Sequence, residues 1–194
     1  MLEEIEVNAR ERKIPIMLHD GMEYLCEYIK NNNITRILEI GSAIGYSAIN
    51  MALVSDNIHI TTIEKDSTRY MEAVSNISKF GLEDRINIIL DDALNTEING
   101  MFDMIFIDAS KGNNINFFEK YKKNLDKGGV IITDNLLFHG LVDDDSKIMT
   151  KNQMGIVKKI RAFREFLDNN MEFNTEYVMV GDGISISKRS DNIE

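Results

Sequence analysis

Hydrophobic positions along the chain follow two alternating rhythms. Short apolar runs, "RILEI" from Arg36, "IHITTI" from Ile58, "INIIL" from Ile86, "DMIFID" from Asp103 and "GVIITD" from Gly129, have the length and β-branched content of buried strands. Between them, apolar residues recur at helical spacing over 45–55, 67–80 and 114–124. Gly81 stops the second of these helices, and Gly128-Gly129 is expected to break the chain before the fifth strand. Continuous apolar strands separated by helices predict a parallel sheet covered on both faces.

The last third changes rhythm. Val157, Ile160, Phe163 and Leu167 mark a helix over 154–167, and "TEYVMVGDGISIS" reads as two strands joined at Gly181-Asp182-Gly183. So short a connection makes a hairpin, so one of the two strands runs antiparallel. The expectation is an α/β domain spanning residues 1–194, with seven mostly parallel strands and a closing antiparallel hairpin. Residues 1–33 form a helical segment ahead of the first strand, in which Pro15 precedes a helix carrying Met22, Leu25, Cys26 and Ile29. That helix either packs over the sheet edge or belongs to a lid over the ligand crevice.

Composition narrows the setting. Hydrophobic residues make up 43% of 194 and charged residues 28%, enough for one core with a solvated surface. No apolar run reaches the ~18–20 residues of a membrane span, and "MLEEIEVNARERK" has no apolar signal-peptide centre. The single cysteine, Cys26, excludes an internal disulfide and reads as a buried structural thiol. Together these features place the chain in the cytoplasm, with no membrane partner. A net charge of −10 argues against nonspecific nucleic-acid binding, although a local basic patch is compatible with it.

The candidate chemistry starts at "ILEIGSAIGYSAINMA", a strand, a glycine-bearing loop and a helix. The glycines do not form the G-x-G-x-x-G of a dinucleotide site, and no G-K-[ST] follows as in a P-loop. Glu39 at the strand end, followed by Gly41 and Gly45, fits S-adenosylmethionine better, since that ligand has no phosphates and carries a sulfonium cation. Glu64 ends the second strand, where it would accept from ribose hydroxyls. Asp91-Asp92-Ala93 follows the third strand, where an acid would accept from the adenine amino group. Asp108 ends the fourth. Acids at successive carboxyl ends occupy the binding edge of an open α/β sheet. Taken singly, each could instead cap a helix, Asp92 above all. Asp134-Asn135 ends the fifth strand. If strands four and five are neighbours, Asp108, Asp134 and Asn135 bring two carboxylates and an amide oxygen to one rim, a hard-oxygen set suited to Mg²⁺. The competing reading of Asp134-Asn135 is a turn-and-cap pair.

On "LEIGSAIGYSA", "IEKD", "DDA", "IDASKG" and "ITDNLLFHGLV", the chain from about Pro15 to Ser187 resembles the cation-dependent O-methyltransferases of the caffeoyl-CoA and catechol type. "IPIMLHDGMEYL", "FIDASKGNNINFFEKY" and "VGDGISISK" are most similar to the branch that methylates 5-hydroxyuridine in bacterial tRNA. The resemblance implies a Rossmann-like class I methyltransferase fold. It implies that Met17, Glu39, Gly41, Ser42, Ser47, Glu64, Ala93 and Asp108 contact S-adenosylmethionine, joined by Asp92 from the reading above. It implies that Asp108, Asp134 and Asn135 bind Mg²⁺, that Asp108 and Lys111 are catalytic with Lys111 as the base, and that the enzyme is a homodimer. Lys111 otherwise reads as a solvated lysine shaping its loop.

Three functions follow: methylation of the wobble 5-hydroxyuridine in the tRNA anticodon region, giving 5-methoxyuridine; methylation of a small catechol-like or caffeoyl-CoA-type acceptor; or a binding protein that has lost catalysis, which the intact set of Asp108, Asp134, Asn135 and Lys111 opposes. His19, His59 and His139 lack metal-ligand spacing, and His139 is expected at the substrate mouth. The cations expected to meet RNA are Arg12 and Lys13, Lys147 and Lys151, the group Lys158, Lys159, Arg161 and Arg164, and Lys188-Arg189.

Overall fold

The computed structural model describes residues 1–109, 111–138, 140–147 and 150–190. Helices α1 (Leu2–Glu11) and α2 (His19–Asn31) lead into β1 (Arg36–Ile40), α3 (Tyr46–Leu53), β2 (His59–Glu64), α4 (Ser67–Lys79), β3 (Ile86–Leu90) and β4 (Phe102–Ile107). Then come α5 (Asn114–Tyr121), β5 (Leu125–Thr133), α6 (Lys151–Asp168), β6 (Phe173–Val178) and β7 (Ile184–Arg189). The seven strands form one sheet in the order β3-β2-β1-β4-β5-β7-β6. Only β7 runs against the rest, antiparallel to both β5 and β6. This is the expected Rossmann-like methyltransferase fold, closing hairpin included.

Alternation along each strand builds two cores. Ile37, Ile60, Met104, Phe106 and Ile132 face a layer made by α1 to α4. Leu38, Ile40, Ile105, Ile107 and Ile131 face α5 and α6. On that second face Phe118 meets Phe166 and Phe173 edge-on, at 5.4 and 5.0 Å between ring centres. The same helix positions the loop after β3: the Tyr121 hydroxyl donates to the carbonyls of Ala93 and Thr96, at 2.7 and 3.2 Å.

Gly128-Gly129 does not break the chain before β5. The strand starts at Leu125, which pairs with Phe102, and the register then shifts so that Val130 pairs with Met104. The glycines lie inside this bulge. Gly128 has φ +79°, and a Cβ on Gly129 would lie 3.0 Å from the Asp103 carbonyl. Arg36 bridges Asp103 and Asp126 at 2.6 Å each across the irregularity.

The ladders continue past the strands and set the loops at the carboxyl rim in register. Gly41 N–H donates to the Ile63 carbonyl, Asp91 N–H to Glu64, Asp108 N–H to Ile40 and Asp134 N–H to Ile107, all at 2.9–3.2 Å. Strands β4 and β5 are neighbours, as the rim chemistry requires. Among the described residues, no helix is long and apolar enough to cross a membrane.

Candidate active site

A cavity of about 680 Å³ opens at this rim. Its floor is the turn after β1, where Gly41 has φ +96°. A Cβ there would stand 2.8 Å from the Asp108 carbonyl oxygen and 3.0 Å from the Ala109 Cα, so only glycine allows the two loops to approach this closely. Glu64 forms the next wall. Ala43 N–H and Asp66 N–H each donate to one of its carboxylate oxygens at 2.9 Å. That fixes the carboxylate's direction and leaves outer lone pairs for a ligand. Asp92 also lines the space, and its Oδ1 accepts from Leu94 N–H at 2.9 Å. No helix starts at Asp92, so its side chain caps a turn and not a helix, while also bordering the cavity.

The second group of residues does converge. Asn135 Nδ2 donates to Asp108 Oδ1 at 2.8 Å and to Asp134 Oδ2 at 3.0 Å. Asn135 adopts φ +70°, a strained left-handed conformation of the kind that concentrates at functional sites. Burial, then the neighbouring Asp134 charge, raises the Asp108 carboxyl well above the usual range. Burial likewise lifts Asp134 to about 7, with Asp182 and Asp20 adding to the effect. Among the described residues, the buried Asp134 Oδ1 atom has no hydrogen-bond partner. Lys111 lowers both carboxyls and lines the cavity, its Nζ 5.7 Å from the centre of the Phe138 ring.

Of the residues expected to touch S-adenosylmethionine, Gly41, Glu64, Asp92, Ala93 and Asp108 line the cavity, as do Lys111 and Asn135. Met17, Glu39, Ser42, Ser47 and Asp134 lie behind its walls and are all buried. Both Glu39 carboxylate oxygens are occupied, by the Ser47 and Thr62 hydroxyls. Burial raises Glu39 to about 7 even so. Its role in the fold is to tie β1 to α3 and β2 beneath the loop. Neighbouring residues supply the expected surface: Pro15 and Ile16 in place of Met17, and Ala43 in place of Ser42. In the N-terminal segment Pro15 and Ile16 line the cavity, while Leu25 and Ile29 of α2 are packed in the core.

Sequence reasoning missed the wall built by Asn152, Gly155 and Ile156 of α6. Its signal was Asn152, Gly155 and Ile156 at helical spacing, beside the apolar stripe of Val157 and Ile160. Several cations expected to meet RNA are occupied within the chain: Arg12 by Glu72, Arg161 by Asp145, Arg164 by Asp143 and Lys147 by Asp144. His139 lies outside the described residues.

The profile of the family described as O-methyltransferase matches residues 1–190. The chain belongs to the O-methyltransferase family. A caffeoyl-CoA O-methyltransferase of Populus kitakamiensis is 30% identical over 179 residues, covering 88% of this chain and 76% of that one. A solved structure from Staphylococcus aureus, provisionally assigned as a caffeoyl-CoA O-methyltransferase, superposes with a TM-score of 0.93 at 35% identity. It covers 97% of this chain and 92% of the other. An O-methyltransferase of Bacillus cereus in complex with SAH superposes at 0.81 with 28% identity, over 97% and 90% of the two chains.

Proposed function

We propose that this O-methyltransferase moves the methyl group of S-adenosylmethionine to one of two adjacent oxygens on a small, catechol-like or caffeoyl-type acceptor. The observation that carries the reading is that one cavity joins two sets of groups. Glu64 and Asp92 suit the ribose and adenine of the donor, and Asp108 and Asn135 stand at its other side. The caffeoyl-CoA O-methyltransferase relatives and the SAH-bound structure support it.

Asp108, Asp134 and Asn135 fit a divalent cation. Both carboxyls are pushed toward protonation despite the nearby Lys111 charge, and among the described residues one buried Asp134 oxygen has no hydrogen-bond partner. The Asn135 amide, placed here with its nitrogen toward both, would need only a flip to offer a third oxygen. Bound there, the cation would act as a Lewis acid and lower the pKa of the acceptor hydroxyl. Glu64 and the Gly41 turn orient the donor, while Pro15 and Ile16 exclude water. In its neutral amine form Lys111 takes the hydroxyl proton and becomes the ammonium, the acceptor oxygen forms its bond to the methyl carbon, and the sulfur keeps the electron pair of the bond that breaks. Alignment and desolvation of the two reactants supply most of the acceleration.

A second reading, methylation of 5-hydroxyuridine in tRNA, is favoured by Lys111, Lys151 and Lys159 around the cavity, since 5-hydroxyuracil also offers adjacent oxygens. Incubation with labelled S-adenosylmethionine and either a catechol panel or tRNA lacking the modification separates the two. Label in a catechol ether supports the first reading, and label confined to tRNA supports the second. We further propose a cytoplasmic homodimer, to which a solution mass of 22.2 kDa at micromolar concentration would be contrary.

A further inference from the structure

Charge divides the cavity into two halves. On the β2–β3 side, Glu64, Asp91 and Asp92 face Lys65 and Arg69, and Lys65 approaches Asp92 at 4.0 Å. On the other side stand Lys111 after β4 and two residues of α6, Lys151 and Lys159. Lys159 reaches across the opening so far that a Cβ on Gly112 would meet its Nζ at 2.8 Å. Its ammonium therefore lies against the loop that carries Lys111. Arg161 and Arg164, on the same helix, are bonded to Asp145 and Asp143. Among the described residues, Lys151 and Lys159 have no ion-pair partner.

Acids outnumber bases by ten in this chain, so partners for surface lysines are plentiful. Lys111, beside the Asp108 and Asp134 carboxyls, nevertheless shares one concave space with Lys151 and Lys159, which have no ion-pair partner among the described residues. Their mutual repulsion is a cost to the protein alone, and an anion placed between them would relieve it. The acidic half suits a cationic donor bearing hydroxyls. The basic half is of the wrong sign for that donor and lies on the acceptor's side of Asp108.

We propose that Lys151 and Lys159 form an anion-binding subsite that selects acceptors carrying a carboxylate or phosphate over neutral ones. This rests on the reading of the cavity as the methyl-transfer site. Lys159 is the specificity-determining residue, because it closes the gap between α6 and the Gly112 loop.

Matched acceptors test it. Catechol is compared with 3,4-dihydroxybenzoate, and 5-hydroxyuridine with its 5′-monophosphate, by calorimetric titration into the enzyme with Mg²⁺ and S-adenosylhomocysteine. The anionic member of at least one pair is expected to bind about fivefold or more tightly, with the preference shrinking as salt rises. The pair with the larger preference identifies carboxylate or phosphate as the natural group. In the double variant Lys151→Gln, Lys159→Gln the preference should fall to about one, while Lys159→Arg should retain it. Both lysines are exposed, so the variants are expected to fold. Equal binding within both pairs, or a preference untouched in the double variant, would overturn the subsite. An intact preference with no methyl transferred to any acceptor would support the subsite and count against the methyl-transfer reading.

Discussion

Replacing Glu39 with glutamine isolates the most deeply buried acid of the rim. Its carboxylate is fully enclosed and accepts from the Ser47 and Thr62 hydroxyls. Burial dominates, lifting the group from 4.5 to about 7. A carboxyl whose pKa is raised on folding binds its proton more tightly in the native state. Its contribution to stability is therefore complete below the unfolded value and is lost as pH rises through the folded value. A rise from 4.5 to about 7, at roughly 1.36 kcal/mol per unit, corresponds to about 3 kcal/mol lost across that window. Glutamine does not titrate. The difference in unfolding free energy, wild type minus Glu39→Gln, should thus fall by about 3 kcal/mol between pH 4.5 and pH 8. Urea unfolding at several pH values measures it, and the subtraction largely removes contributions that both proteins share, including those of Asp108 and Asp134. A difference that stays flat with pH, or grows toward pH 8, would refute the assignment of burial as the dominant cause.

Gly41→Ala should weaken S-adenosylmethionine binding at least tenfold by calorimetry and lower the melting temperature. The added Cβ meets the Asp108 carbonyl at 2.8 Å, and the backbone at φ +96° adds strain of about 1–3 kcal/mol. Unchanged affinity would show that the floor of the cavity is not where the donor binds. Asp134→Ala should abolish the rise in melting temperature that Mg²⁺ gives the wild type, and chelation should stop turnover. Full activity in excess EDTA would remove the cation from the reaction.

The sheet was legible because its signal is continuous: Ile37, Leu38 and Ile40 are fully buried on both faces of one short strand, a pattern few alternatives share. The rim acids were legible for a related reason, since they follow such strands at once. What the sequence concealed depends on side-chain direction and on three-dimensional approach. Glu39 stands at the rim by position, yet its side chain points into the layer under α3, toward Ser47 and Thr62. Met17 and Ser42 miss the cavity while their neighbours Ile16 and Ala43 line it, because adjacent side chains point different ways. Gly128-Gly129 looked like a break, and only the pairing of Leu125 with Phe102 and of Val130 with Met104 shows that a bulge continues the strand. The α6 wall joins residues some 40 positions from Gly112, which no local pattern encodes.

The most direct measurement is a crystal structure of the enzyme with S-adenosylhomocysteine, Mg²⁺ and 3,4-dihydroxybenzoate. The ribose hydroxyls should lie on Glu64, the cation on Asp108, Asp134 and the flipped Asn135 oxygen, and the two acceptor oxygens should point toward Lys111. A nucleoside bound away from Glu64, or a cation held by other residues, would contradict it.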